Sequence, residues 1–340
     1  MKKILALLSA FSMALVLSAC GGGGGGAGGA GTGADTPVTL SLGTILSAED
    51  LTTVALEHMA EIAYERSGGS LTIEVFPASQ LGNATVQMEA VSLGSQDMFH
   101  GSGTWVATYV PDRGAAGMFF VFEDSDHFRA YVQSDLMADV EEQFREIMDI
   151  RIISNNWEIA PRSMASTVPI HSIDDIQGLT FRVPDIRAYL DSVNAIGAVP
   201  VQIAFGEVYL AMIQGVIQVT EAPFDNLYTM SFYEVGPYII RTEHIYDNYV
   251  VMINERTFNN LSENQQQILT EAANEAGVFF NTELAGMIDT YIELMIQGGA
   301  TFIEPDATGF TQAVGTAIRE LEAAGEWREG LYDEIQALRR

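Results

Sequence analysis

Along most of the chain, short apolar segments typical of strands alternate with segments whose apolar residues have helical spacing. Runs of five or six largely apolar residues predict strands at Val38–Gly43, Leu71–Phe76, Asp97–Gly101, Arg151–Asn155, Ser163–Val168, Leu179–Val183, Gly215–Thr220 and Tyr249–Ile253. Apolar residues three and four positions apart predict helices at Glu49–Arg66, Thr85–Leu93, Asp126–Met148, Asp185–Ile196, where Asp185 would be the cap, and Phe205–Gln214. This alternation indicates α/β layers over mainly parallel sheets.

One predicted helix is much longer than the others. Ser262-Glu263-Asn264-Gln265 has the pattern of a capping box, and apolar positions at helical spacing continue as far as Met295. About 36 residues at 1.5 Å each span roughly 54 Å, more than the ~30 Å diameter of a small domain. Such a helix could brace two lobes, and Gly277 marks a place where it could bend.

The first twenty residues have the organisation of a secretory signal peptide. Lys2 and Lys3 precede the apolar run Ile4–Leu17, and small residues lead to Cys20. Leu-Ser-Ala-Cys resembles the bacterial lipoprotein cleavage box, which implies removal of residues 1–19 and lipidation of Cys20. An ordinary signal peptide with an unrelated cysteine is the alternative. A transmembrane helix is not expected, because the apolar run falls short of the ~20 residues that a span requires.

The segment after Cys20 is nearly all glycine and alanine. Its G-x-G-x-x-G spacing has no strand before it and no helix after it, so it does not predict a dinucleotide site. Glycine-rich chain is flexible, and residues 20–36 therefore read as a tether between a lipid anchor and the fold.

Export would leave a strongly acidic protein. Removal of the only two lysines leaves 14 arginines against 45 acidic residues, a formal charge of 14 − 45 = −31. Such a surface repels nucleic acid and anionic lipid, and no basic cluster overrides it. Because Cys20 is the only cysteine, apolar cores must hold the fold without disulfides, and the length suffices for two lobes.

Arg182 is an unusual residue for its position. It lies within Leu179-Thr-Phe-Arg-Val-Pro-Asp185, a segment that otherwise predicts a buried strand. A buried guanidinium is costly unless an anion meets it. The partner is either a carboxylate of the protein, with Asp185 and Glu221 as candidates, or an anion from outside.

Five motifs in order then identify a family resemblance. They are FPASQLG (76–82), FRVP (181–184), GAVPVQIAFGEVYLAMIQGVIQ (197–218), TEAP (220–223) and FYEV (232–235). Together they resemble the DctP-type solute-binding proteins of TRAP (tripartite ATP-independent periplasmic) transporters, over nearly the whole exported chain.

The resemblance implies a two-lobed, periplasmic-binding-protein-like α/β fold with crossing segments and a long bracing helix. Lobe 1 would comprise residues 37–159 with 248–285, and lobe 2 residues 160–247 with 286–340. It also implies an extracytoplasmic receptor that has neither enzymatic activity nor a cofactor. This receptor would deliver an organic acid to a membrane permease driven by an ion gradient.

The resemblance further implies which residues contact the ligand. Arg182 would pair with the ligand carboxylate, and Arg162 would assist it or else brace the hinge. Relatives carry an asparagine where this chain has Ala222, so Asn226 could replace its amide. The other expected contacts are Glu221, Trp157, Phe205, Phe224 and Ser102.

Other functions fit fewer features of the sequence. The same lobes could serve an ABC importer or a sensor kinase. A secreted acidic hydrolase would have to use Glu123, Asp124 or Glu158, although the acids around 123–126 equally fit a helix N-terminus. The five histidines lack metal-ligand spacing, so no metal site is expected. Two arginines permit a dicarboxylate or a sugar acid, whereas the lost asparagine and the aromatic residues favour a larger or more apolar monocarboxylate.

Overall fold

The structure, a computed structural model, describes residues 35–339. The predicted signal peptide and lipidated Cys20 lie outside this range, as does the glycine-rich segment up to residue 34. Residues 35 and 36, expected to end the tether, are instead bound to the fold. The Asp35 carboxylate accepts a hydrogen bond from Asn264 (2.7 Å) and the Thr36 carbonyl accepts one from Gln265 (2.9 Å). Among the described helices, none combines the length and the apolar character that crossing a membrane requires.

The strands closely follow the predicted pattern. In chain order they are β1 (Val38–Thr44), β2 (Leu71–Phe76), β3 (Met98–Ser102), β4 (Ile150–Glu158), β5 (Arg162–Ser166), β6 (Thr180–Val183), β7 (Val199–Gln202), β8 (Val219–Ala222), β9 (Tyr238–Ile245), β10 (Asn248–Asn254) and β11 (Thr301–Ile303). The sequence pattern did not predict β7, β9 or β11.

Helices connect most of the strands. They are α1 (Leu51–Arg66), α2 (Ala84–Leu93), α3 (Pro111–Gly117), α4 (Ser125–Val132), α5 (Asp135–Met148), α6 (Arg187–Ala195), α7 (Val208–Ile213), α8 (Phe224–Thr229), α9 (Phe232–Val235), α10 (Glu255–Asn260), α11 (Glu263–Gln297), α12 (Thr308–Ala323) and α13 (Leu331–Ala337). Short 3-10 helices occupy Gly103–Thr108 and Phe205–Glu207.

The strands form two separate sheets, one in each lobe. The lobe 1 sheet has the order β2-β1-β3-β10-β4, and the lobe 2 sheet has the order β11-β9-β5-β8-β6-β7. Each sheet is parallel except for one strand, which is β10 in lobe 1 and β5 in lobe 2. The chain crosses between lobes from β4 to β5 and from β9 to β10. The prediction of an α/β fold with two lobes and crossing segments is confirmed.

Local chemistry explains where the elements differ from prediction. The helix expected at 126–148 breaks into α4 and α5 at Gln133-Ser134, where the Ser134 hydroxyl donates to the Tyr131 carbonyl (2.7 Å). Asp185 does not cap α6, because its carboxylate instead accepts a hydrogen bond from Gln202 (3.0 Å). The prediction of Asp185 as the cap was therefore wrong.

The long helix α11 belongs to both lobes. Its capping box is present, with reciprocal 3.1 Å bonds between Ser262 and Gln265. Phe280 packs in the core of lobe 1 and Met295 in the core of lobe 2. The helix is continuous through Gly277. A Cβ at Gly277 would lie 2.8 Å from the Trp157 ring, which indicates that this glycine allows α11 to pack closely on β4.

The C-terminal helices pack against both lobes. Gln336 donates to the Val121 carbonyl (2.7 Å), and the Ile335 carbonyl lies 2.9 Å from His127 Nε2. Both partners lie in the stretch predicted for lobe 1. The predicted boundary assigned residues 286–340 to lobe 2. The last helix of this segment instead also contacts lobe 1.

Candidate functional site

A cleft of two adjoining chambers lies between the lobes. The inner chamber has a volume of about 50 Å³ and the outer one about 340 Å³. Both lobes contribute walls to each chamber. The residues that line both are Ile45, Trp105, Arg182, Pro184 and Phe205. A ligand could therefore place a small anionic group in the inner chamber and the rest of its structure in the outer one.

Arg182 stands where the two chambers meet. On β6, Phe181 and Val183 point into the apolar core, so the side chain between them faces the cleft. Arg182 is only 3% exposed, and its Nε donates to the Ile203 carbonyl (2.8 Å). Its guanidinium carbon lies 5.5 Å from the centre of the Phe205 ring. Within residues 35–339, neither Nη atom has a hydrogen-bond acceptor and no carboxylate forms an ion pair with the group.

Arg162 and Glu221 form a buried ion pair beside Arg182. Arg162 opens β5, and Glu221 lies on the neighbouring antiparallel strand β8. The Arg162 Nε donates to one carboxylate oxygen of Glu221 and its Nη2 donates to the other at 2.9 Å. Such a bidentate contact holds both side chains in one geometry. The Nη1 atom of Arg162 makes no hydrogen bond to the described part of the chain, and Arg162 lines the inner chamber.

This pair decides between the two possible partners of Arg182. Glu221 is completely buried and bound to Arg162, and Asp185 accepts a hydrogen bond from Gln202. Both protein carboxylates considered for Arg182 are therefore engaged elsewhere. Arg182 remains a buried cation whose free donors face a cavity.

The ionisation of these groups follows from their surroundings. Burial lowers the pKa of Arg182 to about 10, which Glu221 partly opposes and Arg162 reinforces. Burial alone would raise the pKa of Glu221, but the Arg162 guanidinium and its hydrogen bonds hold that pKa below its usual value. At neutral pH both arginines are therefore cationic and Glu221 is anionic.

Two other predicted contacts reach the inner chamber with their donors already used. The Ser102 hydroxyl donates to the Asp247 carboxylate. The amide nitrogen of Asn226 donates to Asp50 (3.1 Å) and to Asp225 (3.2 Å), while its oxygen accepts from the Tyr249 hydroxyl (2.9 Å). Asn226 thus has no spare N–H for a ligand carboxylate in this arrangement.

Three predicted contacts do not line the cleft. Trp157 is fully buried, and its indole N–H donates to the Ala273 carbonyl (3.1 Å). Phe224 packs on Phe302 in the core of lobe 2. Glu221 is held by Arg162, and its negative charge would repel a ligand carboxylate. Proximity to the motifs led to these three predictions, but none of the three residues lines either chamber.

Two aromatic lining residues were missed in the sequence. Tyr189 and Tyr249 line the inner chamber. Trp105, one of the aromatic residues that the sequence placed near the expected pocket, lines both chambers. Tyr189 occupies the first turn of the helix that follows the Arg-Val-Pro motif, a position that could have indicated it. Tyr249 looks like any buried strand residue, and only the pairing of β10 with β3 brings it beside Ser102.

The acids proposed for a hydrolase lie outside the cleft lining. Glu158 pairs with Arg129 (2.9 Å), Glu123 pairs with Arg339 (2.8 Å), and Asp124 caps α4. The described residues contain no group of three or more histidine, cysteine, aspartate or glutamate side chains placed to hold a metal ion.

Comparison with known proteins relates this geometry to characterised receptors. The family model DctP, bacterial extracellular solute-binding protein family 7, matches residues 42–324. The chain is 26% identical to the sialic acid-binding periplasmic protein SiaP of Vibrio cholerae, over 84% of this chain and 88% of that protein. It is 27% identical to the 2,3-diketo-L-gulonate-binding periplasmic protein YiaO of Escherichia coli K12, over 83% and 86%.

A solved structure shares the fold. The TRAP periplasmic solute-binding protein of Roseobacter denitrificans OCh 114, which has L-galactonate bound, matches with a TM-score of 0.82 and 26% identity, over 89% of this chain and 99% of that one. The family match, the relatives and the fold agree with one another. The chain belongs to the DctP family of bacterial extracellular solute-binding proteins.

Proposed function

We propose that this protein is an extracytoplasmic receptor that binds the carboxylate of an organic acid through Arg182 and delivers the acid to a TRAP permease. The observation that carries the proposal is a buried guanidinium with free donors in an interlobe cavity. A carboxylate that accepts from both Nη atoms would neutralise the buried charge and fix the orientation of the ligand.

Binding and closure are linked by the placement of the walls. Ile45 and Trp105 come from lobe 1, whereas Arg182 and Phe205 come from lobe 2, and all four line both chambers. A ligand held by Arg182 therefore contacts Ile45 and Trp105 only when lobe 1 closes over it. Its binding energy shifts the receptor towards the closed form, which the permease would recognise.

The charge balance favours a ligand with one carboxylate. The positive charge of Arg162 is offset by Glu221, which leaves Arg182 as the one unpaired cation among the described residues that line the chambers. The outer chamber presents polar side chains from Ser79, Asn83, Thr85 and Gln202. A hydroxylated monocarboxylate suits both features, and the Roseobacter structure contains such a molecule, L-galactonate.

Binding can be tested by calorimetry against matched acids. L-Galactonate and D-glucuronate, each with one carboxylate, should bind more tightly than succinate, whose second carboxylate would meet no unpaired cation among the described residues that line the chambers. Mass spectrometry of the same mixtures should find every acid unchanged. Tight binding of succinate alone would overturn the monocarboxylate assignment, and turnover of any acid would contradict a receptor role.

The partner and the anchor are tested separately. Uptake of the bound acid into vesicles that carry a TRAP permease from the same genome should require this protein and an ion gradient, but no ATP. Uptake that depends on ATP would favour the importer alternative. For the anchor, mass spectrometry of the mature protein should find a lipid-modified Cys20 at its N-terminus, and an unmodified cysteine would contradict lipidation.

A further inference from the structure

Two buried carboxylates share one hydrogen-bond donor, Asn226, which lines the inner chamber. Asp50 and Asp225 are each 1% exposed, and a single amide group bridges them. The Asn226 nitrogen donates to Asp50 Oδ2 (3.1 Å) and to Asp225 Oδ2 (3.2 Å). The other oxygen of Asp225 is buried and has no hydrogen-bond partner in the structure described. Two buried carboxylates that bind the same amide group lie close to each other. They cannot both be ionised without a large cost in free energy.

The contact joins the two lobes. Asp50 caps α1 of lobe 1, where Oδ1 accepts from the Thr52 N–H (2.9 Å). Asp225 and Asn226 lie on α8, whose apolar residues pack in the core of lobe 2. The Thr229 hydroxyl of the same helix donates to Asp50 Oδ2 (3.0 Å). Opening the cleft would therefore separate Asp50 from its α8 partners and expose both carboxylates to water.

Charged or titratable groups act on the pair from β5, β10 and α11. Arg162 on β5 acts on Asp225 from a distance but is held by Glu221. Tyr249 on β10 donates to Asn226, and Tyr291 on α11 faces both acids. None of these forms an ion pair with either aspartate within residues 35–339. Burial, followed by the repulsion from Asp50, raises the pKa of Asp225 to about 7, and burial raises the pKa of Asp50.

We propose that the Asp50–Asp225 pair is a proton-binding site at the lobe junction, so that closure of the receptor takes up one proton from solvent. The proton occupies one carboxyl of the pair, and the second carboxylate keeps its charge. In the open form the two acids are separated and hydrated, and both ionise at neutral pH. Protonation thus stabilises the closed form without any contact to the ligand. The proposal rests on the proposed function only for the existence of lobe opening.

The direction in which pH shifts the closing equilibrium follows from the difference between the pKa values of the closed and open forms. The closed form holds its proton up to a pH of about 7, whereas separated aspartates release theirs near the usual value of about 4. Between these values each rise in pH disfavours the closed form. We expect the ratio of closed to open receptor to fall about thirtyfold between pH 5.5 and 8.5.

Spin-label distances in the ligand-free protein test this directly. Labels on Val54→Cys of α1 and Ile213→Cys of α7, both exposed residues, report the separation of the lobes in the full chain carrying Cys20→Ser. The short-distance population should dominate at pH 5.5 and decrease towards pH 8.5. Asp225→Asn, which imitates the protonated acid, should keep the low-pH distribution throughout.

Two further variants keep the result interpretable. Asp50→Asn retains a good helix cap and should also abolish the pH response, even if Asp225→Asn does not fold. Glu57→Gln removes an exposed acid from the same helix and should behave as wild type. A wild-type distribution that does not change with pH, or an Asp50→Asn variant that responds as wild type does, would overturn the proposal. Because neither ligand nor permease is used, failure here is distinct from failure of the proposed function.

Discussion

Replacing Arg182 by methionine should stabilise the ligand-free protein while it abolishes ligand binding. Methionine fills a similar unbranched volume but carries no charge. Most substitutions of a buried residue destabilise a protein. Opposite effects on stability and binding are therefore a specific signature of a cation that is kept unpaired for a ligand.

The change in the free energy of unfolding follows from the interactions of the Arg182 guanidinium. Burial lowers the pKa of Arg182 to about 10. Each pKa unit below the usual arginine value corresponds to about 1.4 kcal/mol, so the charge destabilises the folded state by about 3 kcal/mol. The substitution also removes the hydrogen bond to Ile203, worth about 1 kcal/mol, and the contact with Phe205, worth about 0.5–1 kcal/mol. The net gain is about 1 kcal/mol, or about 2–4 °C in Tm.

The effect on binding should be larger and of opposite sign. Removing one partner of a buried charge pair costs about 2–5 kcal/mol of binding free energy, which weakens binding by about 30-fold to several thousand-fold. Thermal unfolding with and without L-galactonate measures both effects. Arg256→Met, at an exposed arginine paired with Asp149 (3.2 Å), is the control and should retain the ligand-induced rise in Tm. An Arg182→Met protein that is less stable than wild type and still responds to ligand would refute the reasoning.

Further predictions concern the ion pair and the long helix. Glu221→Gln leaves Arg162 buried without its anion and should lower the free energy of unfolding by about 3–5 kcal/mol in chemical denaturation; a loss below 1 kcal/mol would contradict a buried pair. Because the pKa of Glu221 is lowered by folding, its contribution is present above the usual carboxyl pKa and is lost as the pH falls through the lowered value, so the variant should also flatten the acid limb of the stability profile. Gly277→Ala should destabilise the protein by about 1–3 kcal/mol, since the added methyl meets the Trp157 ring. Gly286→Ala on the same helix meets nothing within 4 Å and should stabilise by up to about 1 kcal/mol; equal effects of the two glycine variants in thermal unfolding would contradict the packing described.

Much of the fold was predictable because its signals are local. The capping box at Ser262 and the apolar repeat of α11 depend only on residues close in sequence. The break between α4 and α5 was not predictable, because apolar spacing continues across Gln133-Ser134 in the sequence. The short strands β7 and β11 were missed for a related reason. Three or four residues carry too little periodicity, and only their pairing with β6 and β9 defines them.

The site was predictable only where one residue was chemically out of place. Arg182 stands out because a cation on an apolar strand requires an explanation. The bond between Arg162 and Glu221 joins residues that are far apart in sequence, and only the antiparallel pairing of β5 with β8 brings them together. The pair of Asp50 and Asp225 has no sequence signal at all, since each acid by itself resembles an ordinary residue at a helix N-terminus. Contacts between lobes carry information that no local pattern contains.

The most direct test of the central claim is a crystal structure of the protein with a bound organic acid. We expect a carboxylate within hydrogen-bond distance of both Nη atoms of Arg182, at the junction of the two chambers, with Arg162 still bound to Glu221. A carboxylate bound elsewhere in the cleft, with the Arg182 guanidinium making no contact to it, would contradict the account.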